Sequence, residues 1–228
     1  MSLSQGEIDA IWLSVQVALW AVAAGLIPAI LCALLLARCQ FKGKTLLDAA
    51  IHLPLVVPPV VTGFLLIILL GRHTLLGGFL EQLGLKFAFN WKGAVLASLV
   101  MSFPLMVRAI RLSIESVDRG LEAAARTLGA GRLKTFMTIT LPLSLPGIIT
   151  GGVLGFARSL GEFGATITFV SNIPGETQTL PLALYTFTQT PDGERMAARL
   201  CVISIIIALA ALAMSEVVAR KTAKRISG

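Results

Sequence analysis

The chain has 228 residues, of which 56% are hydrophobic and only 14% are charged. Soluble domains usually carry about 25% charged residues, so this composition excludes an ordinary soluble enzyme or binding module and indicates a membrane protein. The net charge of +7 follows from the basic loops that membrane proteins keep in the cytoplasm, so it does not require a nucleic-acid partner.

A transmembrane helix needs about 20 apolar residues, and the sequence predicts an all-α membrane protein with about five such spans. In chain order they run roughly over Ile11 to Ala37, Ile51 to Leu70, Gly93 to Ala109, Leu145 to Val170 and Ala197 to Ala219. An odd number of spans places the termini on opposite sides. Most of the 19 basic residues face the cytoplasm if the N-terminus is outside, which predicts that orientation. No linker or repeat divides the chain, so residues 1–228 are expected to form a single transmembrane domain.

Prolines interrupt the first three spans. Pro28 lies in the first span, Pro54, Pro58 and Pro59 crowd the start of the second, and Pro104 lies in the third. Each removes a backbone donor and bends a helix. Two interpretations stay open, which are simple packing irregularity and bends that open a central pathway.

A basic loop over about residues 111–142 connects the third and fourth spans and contains a short amphipathic helix. Leu121, Ala125 and Leu128 recur at helical spacing and form one apolar stripe. Glu122 and Arg126 are four residues apart in the favourable order for an ion pair. The helix is too polar to span a bilayer, and its stripe needs a partner surface. A docking element is therefore predicted, with an interfacial helix on lipid headgroups as the alternative.

Capping residues are predicted at both ends of this short helix. Asp118 is expected to cap its start, and Gly129 to supply the left-handed residue that ends it. A second amphipathic run follows, and Pro142 is expected to break it. The loop is therefore predicted to be a short helix, a tight turn and another short helix.

The fourth predicted span carries small residues at every fourth position, namely Gly147, Gly151 and Gly155. This spacing lets two membrane helices approach closely. We expect the glycine face to be a helix-packing surface that makes the close contact between two copies of the chain.

Arg158 and Glu162 follow on the same span, near the middle of the membrane. Charges at that depth are costly unless they are paired or hydrated, and they often mark a functional site. Together with Ser159 and Thr166, they are predicted to form a translocation pathway or gate. The alternative is an ion pair that only fixes helix packing.

Signals for catalysis or metal binding are weak. His52 and His73 are the only histidines and have no second ligand at metal spacing. Gly43-Lys44-Thr45 lacks the first glycine of a phosphate-binding loop, because Arg38 occupies that position. Ser159 has no general base nearby. No catalytic residue, metal site or bound cofactor is therefore predicted.

The loop resembles the cytoplasmic coupling loop of ABC importer permeases. The signature of that family is Glu-Ala-Ala, three residues, glycine, nine residues and Ile-x-Leu-Pro, and it is matched in register at Ala124, Ala125, Gly129, Ile139, Leu141 and Pro142. The acidic position of the signature falls on Ala123, while Glu122 lies one residue earlier, about 100° around a helix. The resemblance implies that an ATPase docks on Leu121, Glu122, Ala123, Ala124, Ala125, Arg126, Leu128 and Gly129.

Further segments resemble the permease subunits of molybdate ABC importers, a similarity that covers nearly the whole chain. They are Leu53–Gly63, Ser102–Arg108, Ala157–Thr166 and Ser171–Thr177. The motif formed by the last two segments is shared in outline with sulfate and thiosulfate permeases, so import of those oxyanions is the alternative. A secondary anion transporter is a further alternative, although it would normally show repeats and need no docking loop.

The resemblance also implies an architecture and a set of partners. It implies a type I ABC importer permease that forms a homodimer in the bacterial inner membrane and works by alternating access. Two ATPase subunits, which bind ATP and magnesium, would dock on the cytoplasmic side. A periplasmic molybdate-binding protein would dock on the other side.

Overall fold

The computed structural model describes residues 3–72 and 74–227, with side chains as far as Met214 and for Val217. The described residues are almost entirely helical. The helices are α1 (Gln5–Arg38), α2 (Lys44–Val56), α3 (Pro59–Leu70), α4 (Leu75–Gln82), α5 (Trp91–Ser116), α6 (Arg119–Thr127), α7 (Arg132–Thr135), a π-helical turn (Phe136–Thr140), α8 (Leu141–Leu160), α9 (Gly164–Val170), α10 (Leu180–Thr188) and α11 (Glu194–Ser227).

Four helical segments in the described part of the chain are long and apolar enough to cross a membrane. They are Gln5–Arg38, Trp91–Ser116, Arg132–Leu160 and Glu194–Met214. The pair α2 and α3 gives a fifth candidate if the two helices are counted as one bent span. The prediction of an all-helical membrane protein with about five spans is therefore confirmed.

The second predicted span is not one helix. α2 ends at Val56 and α3 begins at Pro59, and the two axes differ by 115°. Consecutive prolines explain this break, because neither Pro58 nor Pro59 has a backbone N–H and a residue before proline avoids helical geometry. The expectation of a continuous helix over Ile51 to Leu70 is therefore wrong.

The fourth predicted span also differs from its expected bounds. Helical structure begins at Arg132, passes through Pro142 and ends at Leu160, and a break at residues 161–163 precedes α9. Pro142 does not break the helix, because the π-helical turn before it adjusts the hydrogen bonding and the Leu141 N–H bonds to the Phe136 carbonyl. The expectation of one span over Leu145 to Val170 is corrected accordingly.

The glycine face of α8 packs against α5 of the same chain. A β-carbon at Gly151 would lie 3.0 Å from Ile110 Cγ1, and one at Gly155 would lie 2.8 Å from the Met106 sulfur. At Gly147 the added carbon would collide with Ser113. This face is therefore covered within the chain, and the contact between two copies that we expected there is replaced by an internal helix contact.

Two apolar clusters hold the main bundle together. The first joins α1, α5 and α8, with Leu36, Met106 and Ile110 fully buried. The second joins the first halves of α1 and α5 to α3 and α9 through Phe169 and its neighbours. α9 packs closely on α3, because a β-carbon at Gly63 would lie 2.6 Å from the Ala165 carbonyl oxygen. The two broken segments therefore lie side by side.

Candidate functional site

The amphipathic loop helix is α6, and both of its predicted caps are present. Asp118 is the N-cap and accepts a hydrogen bond from the Gly120 N–H at 2.8 Å. Gly129 has φ +86°, and the Ala130 N–H bonds to the Ala125 carbonyl at 3.0 Å. This bond and the positive φ are features of a Schellman motif, which requires a left-handed residue at the glycine position.

The apolar stripe of α6 is open in this chain. Leu128 is 89% exposed and Leu121 is 48% exposed, while Ala125 is half-buried. Leu133 of α7 and Met137 of the π-helical turn add to the exposed apolar surface of the loop. Ala123, Ala124 and Arg126 are also exposed.

Glu122 points in the opposite direction, into the protein. It is only 6% exposed, and its Oε1 lies 3.0 Å from Arg38 Nη2 and 2.7 Å from the Thr140 hydroxyl, which donates to it. Its predicted partner Arg126 is more distant, at 4.0 Å from Oε2. Glu122 is therefore an internal anchor of α6 and does not join the exposed surface.

Sequence reasoning missed Arg38 and Thr140, the two closest partners of Glu122. Arg38 is the last residue of α1 and appears in the sequence as one of many basic residues at an inner helix end. Thr140 precedes Leu141-Pro142 in the signature, at one of its unspecified positions. No local pattern connects either residue to Glu122, which is 84 and 18 residues away, respectively.

Arg158 and Glu162 form an ion pair, but they do not lie on one continuous helix. Arg158 Nη1 lies 2.6 Å from Glu162 Oε2. Arg158 is in the last turn of α8, whereas Glu162 lies in the break, where its other oxygen accepts a hydrogen bond from the Ala165 N–H at 2.8 Å. Glu162 therefore pairs with the arginine and also holds the first turn of α9.

The pair is asymmetric in burial. The Glu162 side chain is 1% exposed, whereas 26% of the Arg158 side chain remains accessible. The buried polar atoms Ser159 Oγ and Thr166 Oγ1 lack a hydrogen-bond partner among the described residues. The segment therefore offers a partly accessible guanidinium, with two unsatisfied hydroxyls in the same stretch of chain.

The contact between α8 and α1 indicates how deep the Arg158–Glu162 pair lies in the helix bundle. A β-carbon at Gly155 would lie 3.5 Å from Val22 Cγ2, and Val22 is near the middle of α1. Arg158 is three residues further along α8, which is about 4.5 Å along the helix axis. The pair is therefore close to the mid-depth of the bundle.

A further charged group lies near the C-terminal end of α5 and connects it to α2. Arg111 bridges Asp48 at 3.1 Å and Glu115 at 2.8 Å, and His52 lies 3.2 Å from Asp48. Across the described residues, no group of three or more His, Cys, Asp and Glu side chains has an arrangement that could hold a metal ion. His73 lies outside the described residues.

Comparison with known proteins gives the family. Residues 19–224 match the model of the binding-protein-dependent transport system inner membrane component family. The molybdenum transport system permease protein ModB of Escherichia coli (strain K12) is 61% identical over 226 residues, which cover 99% of each chain. The protein of the same name from Haemophilus influenzae (strain ATCC 51907 / DSM 11121 / KW20 / Rd) is 58% identical over 96% of each chain.

A solved structure supports the fold independently. An inward-facing form of the MetNI methionine ABC transporter contains a chain that superposes with a TM-score of 0.77 at 14% identity. The match covers 96% of this chain and 99% of the other. The buried bundle, the exposed α6 and these similarities agree, and the chain belongs to the inner membrane component family of binding-protein-dependent transport systems.

Proposed function

We propose that this chain is the membrane permease of an ATP-driven importer for molybdate. The observation that carries the proposal is the α6 loop, which combines exposed Leu121 and Leu128 with the buried anchor Glu122. Such a loop presents a fixed apolar surface on which a partner subunit of a binding-protein-dependent transport system can dock. Molybdate is the proposed cargo because of the similarity to the molybdenum permeases over nearly the whole chain.

The proposed assembly contains two copies of this chain, two ATPase subunits and one external binding protein. The ATPases bind ATP and magnesium and dock on the α6 surface from the cytoplasm. The N-terminus is outside and the C-terminus inside, following the basic residues. The basic residues after 219, on which this orientation partly depends, lie outside the described side chains. All 228 residues act as one membrane domain.

Arg158, Ser159, Glu162 and Thr166 are proposed to line the pathway or its gate. A dianion crossing the middle of a membrane needs a compensating positive charge, and the partly accessible Arg158 supplies one. Glu162 holds the guanidinium at 2.6 Å and reduces its net field. An anion can therefore pass without being trapped. The hydroxyls of Ser159 and Thr166 are buried in this structure, so they can donate to oxyanion oxygens only in a conformation that exposes them.

The test is uptake of radiolabelled molybdate into vesicles that contain this chain, its ATPase and its binding protein. ATP-dependent uptake that labelled sulfate fails to match supports the proposal. Preferential uptake of sulfate would favour the alternative of a sulfate or thiosulfate importer. Uptake that persists without the ATPase would instead indicate a secondary anion transporter.

A further inference from the structure

Buried polar contacts attach the first turn of α6 to the rest of the chain. We define the inner joint as Arg38, Val117, Glu122 and Thr140. Arg38 Nη2 donates to the Val117 carbonyl at 3.0 Å and pairs with Glu122 Oε1 at 3.0 Å, and that oxygen also accepts from Thr140 at 2.7 Å. The joint therefore connects the end of α1, the end of α5, α6 and the π-helical turn that leads into α8.

Burial makes this joint stronger than the other ion pair of α6. The Glu122 side chain is 8% exposed and that of Arg38 is 15% exposed, so water screens their attraction only weakly. Glu122 also contacts Arg126, but that distance is 4.0 Å and the Arg126 side chain is 56% exposed. Exposed pairs of that kind contribute little to stability. The Arg38 contact is therefore the main electrostatic anchor of α6.

The segments that connect α6 to α5 and α7 are not helical. Val117 is extended, with ψ 125°, and the turn at Gly129 to Gly131 separates α6 from α7. Non-helical connectors can absorb a movement by changing their dihedral angles. The inner joint gives α6 a direct buried connection to the end of α1 and to the π-helical turn, in addition to these connectors.

We infer that Glu122 and Arg38 are positioning residues that transmit the displacement of α6 to α1 and to the start of α8. This inference depends on the proposed function, in which a partner ATPase moves α6. It differs from a role of Glu122 in contacting the ATPase, because the carboxylate is buried against Arg38. A carboxylate at the exposed position 123 would lie about 100° around the helix and could not replace it.

The test uses the complete complex in proteoliposomes and measures three quantities, which are ATPase subunit retention, ATP hydrolysis and molybdate uptake. Glu122→Gln removes the charge but keeps an acceptor for Thr140. We expect the ATPase to stay bound and hydrolysis to continue, while uptake per ATP hydrolysed falls on the order of tenfold. Glu115→Gln is the matched control, because Glu115 pairs with Arg111 within α5, and it should keep the wild-type ratio.

Two double variants separate positioning from direct ATPase contact. The charge-reversed pair Arg38→Glu with Glu122→Arg should recover part of the lost uptake ratio, because it restores an ion pair at the same place. Glu122→Ala with Ala123→Glu should recover none. Recovery by the second pair, or loss of ATPase retention in Glu122→Gln with a normal uptake ratio in the remaining complex, would overturn the inference.

A milder variant applies if Glu122→Gln does not assemble. Thr140→Val keeps the ion pair and removes one hydrogen bond, so it should assemble and lower the uptake ratio by a smaller factor. An unchanged ratio in that variant would also overturn the inference. If the wild-type chain neither retains an ATPase nor takes up molybdate, the proposed function itself has failed, which is a distinct result.

Discussion

Replacing Gly147 with alanine should destabilise the chain, whereas the same change at Gly152 should not. Both glycines are in α8, so both variants gain about 0.5–1 kcal/mol of helix stability. At Gly147 the new methyl group would collide with Ser113 Cβ and lie 3.2 Å from the Ala109 carbonyl oxygen. Overpacking of this kind costs about 1–3 kcal/mol. At Gly152 the nearest atom, Val22 Cγ1, is 3.7 Å away, which is an ordinary contact.

The two variants should therefore differ by about 1–3 kcal/mol in favour of Gly152→Ala. Thermal unfolding of the purified permease in detergent, followed by the loss of the folded peak in size-exclusion chromatography, measures the order of stability. Comparing two alanine variants of one helix removes the effects of detergent and helix propensity. Equal melting temperatures for Gly147→Ala and Gly152→Ala would refute the assignment of this face to the contact with α5.

Three further predictions concern the proposed sites. Gly129→Val should cost about 1–2 kcal/mol in its turn because φ is positive there. It should lower both uptake and substrate-stimulated ATP hydrolysis. The control Gly131→Val, at φ −65°, should lower neither. Leu128→Asp should reduce the amount of ATPase that co-purifies with the permease, and undiminished co-purification would contradict the docking assignment. Arg158→Glu alone should cost about 3–5 kcal/mol by breaking the buried pair. Arg158→Glu with Glu162→Arg should regain only part of that stability, because an arginine at 162 cannot accept the Ala165 N–H, and it should fail to transport. Wild-type uptake by that double variant would make the pair purely structural.

The number of spans and the ends of α6 could be predicted from sequence because local chemistry determines them. The length of an apolar segment determines whether it can span the membrane. Asp118 and Gly129 end α6 through their effects on the adjacent backbone. The direction of Glu122 could not be predicted in this way. Its partners come from distant parts of the chain, and the spacing to Arg126 suggested a surface pair that is longer than the buried one.

Helix breaks were harder to predict than helix positions. Pro142 looked like a helix terminator, but a π-helical turn accommodates it. The break at residues 161–163 instead falls inside a largely apolar stretch that also contains Arg158 and Glu162. The glycine spacing of α8 indicated a close contact but did not identify the partner helix. The spacing of small or apolar residues indicates which side of a helix is covered, but it does not indicate which helix or chain covers that side.

The two neighbouring breaks restrict what can surround this chain in a bilayer. Pro59, at the start of α3, is close to Gly164, at the start of α9, since a β-carbon there would lie 2.8 Å from Pro59 Cβ. Each interruption ends a helical hydrogen-bond ladder, so each leaves peptide groups without a helical partner. Hydrocarbon cannot hydrogen-bond to them. Wherever such a peptide group reaches the surface of this region, it therefore needs a neighbouring protein subunit or a water-filled space beside it rather than acyl chains.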